Sequence, residues 1–105
     1  AAVAQAPDFY YVKNARGQFV AVNQTVATYN GYDRPVQMTG KTDFDIADAA
    51  RARILSGLEQ KMLKSGEGIA DFEEQVPDLK GNLRWFSTSK TPLRDADGNV
   101  IGLVG

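Results

Sequence analysis

The sequence predicts an α+β domain: a five-stranded antiparallel sheet with several short helices and one longer helix packed on one face. Three observations lead there. A chain of 105 residues has the length of one compact domain, able to bury a core without disulfide or metal staples. Its final stretch, Pro92-Leu93-Arg94-Asp95-Ala96-Asp97-Gly98-Asn99-Val100-Ile101, sets a charged turn between two β-prone runs, and Asp97-Gly98 tolerates the positive φ of a tight hairpin. The order of segments (two strands, helices, three strands) leaves no room for the repeated crossovers of a parallel sheet.

Asp8 to Lys13 is dense in aromatic and β-branched residues, the Ala15-Arg16-Gly17 turn follows, and Gln18 to Val22 is a second run of the same kind, so residues 9–22 read as a β-hairpin. Asn23 then caps a short helix with Val26, Ala27 and Tyr29 on one side, which Asn30-Gly31 ends. Residues 32–47 are irregular, with room for one or two single helical turns among Pro35, Gly40 and the acids Asp43, Asp45 and Asp48. The clear helix runs from Ala49 to Lys64, with Ile54, Leu55, Leu58 and Met62 at three- and four-residue steps, Asp48 as cap and Ser65-Gly66 as stop. Ile69 to Val76 alternates, placing Ala70, Phe72 and Val76 on one face with Glu74 among them. A turn at Pro77 to Asn82 leads to the long strand Leu83 to Thr91, and residues 99–105 complete the sheet. Within the long strand Leu83 and Trp85 argue for one inward face and Phe86 for the other.

Composition narrows the chemistry. The 12 Lys and Arg are interleaved with 13 Asp and Glu, net charge −1, so no basic stripe is available to phosphates and nucleic acid is not expected as a partner. With no His and no Cys the chain lacks thiol nucleophiles, imidazole bases and the commonest transition-metal ligands, and it is not expected to be an enzyme. No apolar run approaches the ~20 residues of a membrane span, and the absence of Cys fits a cytoplasmic setting. The apolar lead Ala1 to Ala6, ended by Pro7, reads as a linker or cap remnant.

Three look-alike motifs fail on chemistry. Gly40-Lys41-Thr42 imitates a phosphate-binding loop, but Pro35 stands where its first glycine is required. Asp95, Asp97 and Asn99 imitate a calcium loop, but the required glycine falls on Val100. Asn23-Gln24-Thr25 matches a glycosylation sequon and serves better as a helix cap.

A series of short motifs in a fixed order carries a family resemblance: Phe9-Tyr10-Tyr11-Val12-Lys13-Asn14 with Gly17, Phe19 to Asn23, Gly31-Tyr32, Gly40-Lys41-Thr42-Asp43-Phe44-Asp45, Gly66-Glu67, Gly81-Asn82-Leu83-Arg84-Trp85, and Pro92 to Gly105. In these the chain resembles a PAS domain over residues 8–105, with residues 1–7 as the linker. The resemblance implies a bacterial-type sensory and dimerisation module that encloses a ligand between helices and sheet and signals to an output domain in the same polypeptide. It also implies that the family's Asp-x-Thr exit motif follows Gly105. In the light-sensing members a photoreactive cysteine ends a Gly-Arg-Asn-Cys stretch. Asp43 holds that place here, which excludes cysteinyl-flavin photochemistry, and haem is not expected without a histidine.

By similarity to the light-sensing members, Phe86 and Thr88 turn inward opposite Val76 and Glu74, with Ile101 and Leu103 beside them. Glu74, a carboxylate on an apolar face, reads either as a ligand-facing group or as one satisfied by Lys90 or a sheet-edge residue. Asp43 and Asp45 read as pocket-mouth residues or as helix caps. The expected ligand-binding set is Val26, Asp43, Ile54, Leu58, Phe72, Glu74, Phe86, Thr88, Ile101 and Leu103, with the ligand undetermined. The expected function is a ligand-sensing, homodimerising module attached to a kinase or cyclic-dinucleotide enzyme. The alternative is a ligand-free dimerisation or protein-interaction module using the outer sheet face, motivated by Tyr10, Val12 and Val20.

Overall fold

The computed structural model describes residues 8–105, so the linker expected over residues 1–7 lies outside the described residues. The strands are β1 (Tyr11–Asn14), β2 (Phe19–Val22), β3 (Ile69–Pro77), β4 (Leu83–Arg94) and β5 (Val100–Val104). They form one sheet in the order β2-β1-β5-β4-β3, with every neighbouring pair antiparallel. Between β2 and β3 the chain makes α1 (Gln24–Tyr29), a 3-10 turn (Pro35–Met38), α2 (Asp43–Ile46) and α3 (Ala49–Ser65). The α+β expectation is met, including the single helical turns within residues 32–47.

All three hairpins use one loop design. Asn14, Asp78 and Asp95 each lead a five-residue loop whose fourth residue is Gly17, Gly81 or Gly98 at φ +78, +82 or +83. In each, the leading side-chain oxygen accepts two backbone N–H bonds, from Arg16 and Gln18, Lys80 and Asn82, or Asp97 and Asn99. The short polar side chain thus replaces the ladder bonds that a turning backbone loses, and glycine takes the left-handed position without a Cβ clash. In the last loop only Gly98, not Asp97, has positive φ.

The helices begin and end where local chemistry satisfies their free backbone groups. Asn23 accepts from the Val26 N–H and Asp48 from the Arg51 N–H. Gly66, at φ +71, closes α3 by donating to the Met62 carbonyl. The look-alike phosphate loop is used differently: Gly40 donates to the Phe19 carbonyl and Phe19 to the Lys41 carbonyl, so this backbone is tied to β2.

The apolar core gathers at the β2 and α1 end, where Phe19, Val26, Ala27 and Met38 are buried against Phe9, Tyr11, Val22, Tyr32 and Ile46. The α3 stripe differs from expectation. Its buried residues are Ala52, Leu55, Glu59 and Met62, whereas Ile54 is 72% exposed and Leu58 half-buried. The 3-4-3 spacing of the buried set is a true helical face, and it was obscured because one member is a carboxylate.

Candidate functional site

Two chain segments far apart in sequence put charge inside the fold. On β1, Lys13 lies on the inner face with Tyr11, and on β4 Lys90 follows Phe86 and Thr88 on the inward parity. Glu59 of α3 reaches down between them. Lys13 Nζ donates to Asp43 Oδ2 at 2.7 Å and to Glu59 Oε1 and Oε2 at 2.9 and 3.1 Å, and Lys90 Nζ donates to Glu59 Oε2 at 2.6 Å. All four side chains are buried. Two ammonium groups and two carboxylates balance, which is the condition for keeping charge in a low-dielectric interior. The Lys13 ammonium also stands 4.8 Å from the centre of the Phe19 ring.

Above this network opens a cavity of about 780 Å³, within the size range of small-molecule sites. Lys13, Asp43 and Lys90 line its polar side. Its other wall is aromatic: Phe9, Tyr29 and Phe86 meet edge to face at centroid distances of 5.1, 4.8 and 5.6 Å. The Tyr29 hydroxyl donates to the Val76 carbonyl. Burial pushes the Tyr11 phenol well above its ordinary range; Lys13 opposes this, and Glu59, Asp43 and Glu74 reinforce it. Burial, with Asp78, also pushes Tyr29 up.

Of the expected site residues, the fold brings Val26, Asp43, Glu74, Phe86 and Thr88 together around this cavity. Ile54 and Leu58 do not line it; α3 turns Ala52, Leu55 and Glu59 inward instead. Phe72 is 44% exposed because β3 shifts register between Ile69 and Phe72, with Asp71 in the left-handed region at φ +52. Ile101 is opposite no residue of β4, because the β4–β5 register shifts between Leu93 and Arg94, and it is 45% exposed; Leu103 is buried beside a small separate cavity lined also by Asp43 and Glu59. The strand register also differs by two residues from expectation: Glu74 is opposite Phe86 and Phe72 opposite Thr88.

The partner of Glu74 is neither Lys90 nor a sheet edge. Arg51 of α3 holds it at 3.0 Å, while Lys90 is taken by Glu59. The two acids of α2 divide the roles weighed for them, since Asp45 accepts from the Thr42 N–H as a cap and Asp43 turns to Lys13. Sequence reasoning missed Lys13, Glu59, Arg51 and the cavity-side place of Lys90. The signals were present in the 3-4-3 step from Ala52 to Met62 and in the alternation Phe86, Thr88, Lys90.

A half-open cavity between an antiparallel sheet and short helices, walled by aromatics and floored by paired charges, is a site of small-molecule size on an α+β scaffold. A family model described as the PAS fold matches residues 3–105, and the chain belongs to that family. Among the described residues no group of His, Cys, Asp and Glu is placed to hold a metal ion, and no helix is long and apolar enough to cross a membrane. No curated protein matches the sequence.

Solved structures do match. VqmA of Vibrio cholerae, in a ligand–DNA complex, is 25% identical with a TM-score of 0.83 over 95% of this chain and 44% of its own. A phage VqmA bound to DPO is 26% identical with a TM-score of 0.76, covering 94% and 45% of the two chains. The PAS domain of Bordetella pertussis BvgS, at 22% identity and a TM-score of 0.75 over 96% and 75%, shows the shared fold. This chain therefore spans half or less of the VqmA chains it matches.

These matches correct one expectation. Nucleic acid was excluded on charge balance, yet VqmA, a LuxR-type receptor, is found in complex with DNA. The physical reason is one of scope: the near-neutral charge describes these 105 residues, while half or more of each VqmA chain lies outside the matched part.

Proposed function

We propose that this chain is the ligand-sensing input module of a receptor whose output is DNA binding. The single observation that carries the sensing is the cavity of about 780 Å³ with one aromatic and one charged wall, since a merely packed core would fill that space. The likeness to VqmA, which binds DPO in the phage protein and DNA in the Vibrio protein, supports the receptor class and favours a DNA-binding output over the kinase or cyclic-dinucleotide enzyme first expected. In this reading Val26, Asp43, Glu74, Phe86 and Thr88 contact the ligand, with Phe9, Tyr29 and Lys90 added to them. The test is thermal denaturation of the purified protein with and without DPO, together with mass spectrometry of a heat extract. A raised Tm or a co-purified small molecule supports sensing; neither appearing at saturating DPO and across a metabolite panel overturns it.

A second reading, homodimerisation through the outer sheet face, is favoured by exposed Trp85, Val20, Leu93 and Val104, at 69, 51, 37 and 37%. Sedimentation that finds only monomer at high concentration would count against it.

A further inference from the structure

We propose that the solvent face of α3 docks on the phosphate backbone of duplex DNA through Arg53, Lys61 and Lys64. This inference rests on the reading of a receptor with a DNA-binding output, and it adds a sequence-independent contact made by the sensing module itself.

Charges that are interleaved along the chain sort by face once the helix forms. With Ala52, Leu55, Glu59 and Met62 turned into the fold, positions 53, 57, 61 and 64 run along the opposite side of α3, at the four- and three-residue spacing of one helical face. Arg53, Gly57, Lys61 and Lys64 are all exposed. The ion pairs among the described residues engage Lys13, Arg51, Arg84 and Lys90, so none of the three outward cations is neutralised by one. Glu59 is the only acid within α3, and it is buried against Lys13 and Lys90. A solvated helix face ordinarily mixes both signs in i,i+4 pairs; this one carries cations and no acid. Glu67 follows the helix, and Arg94, whose guanidinium donates to the Gly66 carbonyl, offsets it there.

The nearest sets of carboxylates are turned elsewhere. Asp48, which caps the helix start, lines the cavity. Asp71 and Glu73 are exposed on β3, and Glu73 alternates with the cavity-lining Glu74, so it belongs to the outer sheet face. The domain measures 27 Å across its thinnest direction. Against a screening length of about 8 Å at physiological salt, a polyanion resting on α3 is scarcely repelled by acids of the opposite layer.

The spacing also fits a row of phosphates. At about 1.5 Å per residue, roughly 16 Å of helix separates Arg53 from Lys64, and duplex DNA presents one negative charge per about 1.7 Å of its axis. Between Arg53 and Lys61 the face drops to Gly57, where a Cβ would meet nothing within 4 Å, so a second backbone can approach closely. Three such contacts bind weakly alone. Inside one polypeptide that also holds DNA, tethering at an effective concentration of about millimolar makes them count.

The test titrates the isotope-labelled chain at low salt with a short duplex of arbitrary sequence and, in parallel, with polyglutamate of equal charge. The expected result is that the duplex shifts the backbone amides from Arg53 to Lys64, with an affinity that falls about 40-fold for a fourfold rise in salt, as three phosphate contacts require. The double variant Lys61→Gln, Lys64→Gln should lose about tenfold in affinity. Arg34→Gln, Lys80→Gln makes the same change in net charge at exposed positions away from α3 and should stay within about twofold of the parent. Shifts centred elsewhere, equal losses in the two double variants, polyglutamate binding as tightly as the duplex, or no shift at low salt would each overturn the proposal. All four outcomes leave the receptor reading in place, because in that reading the DNA-binding output is a separate part of the receptor.

Discussion

Glu59 and Lys90 meet at 2.6 Å with both side chains at most 4% exposed, joining the middle of the long helix to the fourth strand across 31 residues of sequence. Lys13 completes the join from the first strand. With Asp43 of α2 on Lys13, the floor of the cavity is thus a salt network that binds four secondary-structure elements, and its disruption should be felt as loss of fold before loss of binding.

Glu59→Ala should therefore destabilise the domain by about 3–5 kcal/mol, because it leaves two buried ammonium groups with one carboxylate between them. The combined variant Lys13→Met, Asp43→Asn, Glu59→Leu, Lys90→Met should be more stable than Glu59→Ala alone, since no unpaired charge remains. Urea denaturation of the two variants checks the order; a reversed order would show that the network stabilises through its bonds and not merely through charge balance.

Two glycines should respond in opposite senses to alanine. A Cβ at Gly102 would collide with the backbone carbonyl oxygen of Lys13 in the neighbouring strand, so Gly102→Ala should cost about 1–3 kcal/mol and displace the lysine that holds the network. A Cβ at Gly57, in mid-helix, meets nothing, so Gly57→Ala should stabilise by about 0.5–1 kcal/mol. Thermal melts of the two variants read both signs directly.

Alkaline titration should reveal tyrosines that resist ionisation. The folded-state pKa values of Tyr11 and Tyr29 are raised, chiefly by burial, so below the ordinary phenol value of about 10 they leave stability unchanged. Above it the unfolded chain ionises first, and stability falls with rising pH until the folded-state values are passed. Tyrosinate absorbance at about pH 10.5 should increase sharply when denaturant is added. Complete ionisation of all tyrosines in the folded protein at that pH would contradict the buried placement of Tyr11.

The acid side should be read by Asp78 at the head of the β3–β4 loop. Burial pushes its carboxyl up, but bonds from the Asn82 and Lys80 N–H groups and the Arg84 guanidinium outweigh that and hold it below the usual range. A lowered folded-state pKa contributes stability above the unfolded value of about 3.9, and that contribution is lost as pH falls through the folded value. Asp78→Ala should have a lower Tm than the parent at neutral pH, and the two should converge in strong acid. A Tm gap independent of pH would assign the effect to loop shape and not to the charge.

Much of this fold was legible because its signals are local. Asn23, Asp48 and Gly66 bound their helices through contacts within a turn, and the Asn14, Asp78 and Asp95 loops are each built within five residues. The inward parity of Phe86 and Thr88 followed from family likeness. Phe72 was not legible, because one irregularity at Asp71 moved it outward, and Ile54 was not, because an exposed isoleucine is indistinguishable in sequence from a buried one.

The sequence by itself determined the class of fold, the element order and the exclusion of thiol and imidazole chemistry, each a matter of neighbouring residues or of residues that are absent. Only the tertiary structure decided the partners of the buried charges. Lys13, Asp43, Glu59 and Lys90 lie 30, 46 and 31 residues apart along their bonds, and each alone reads as an ordinary surface charge. Their pairing depends on a helix rotation and two strand registers agreeing at once, since a buried ammonium is tolerated only when the opposite charge arrives from elsewhere in the chain.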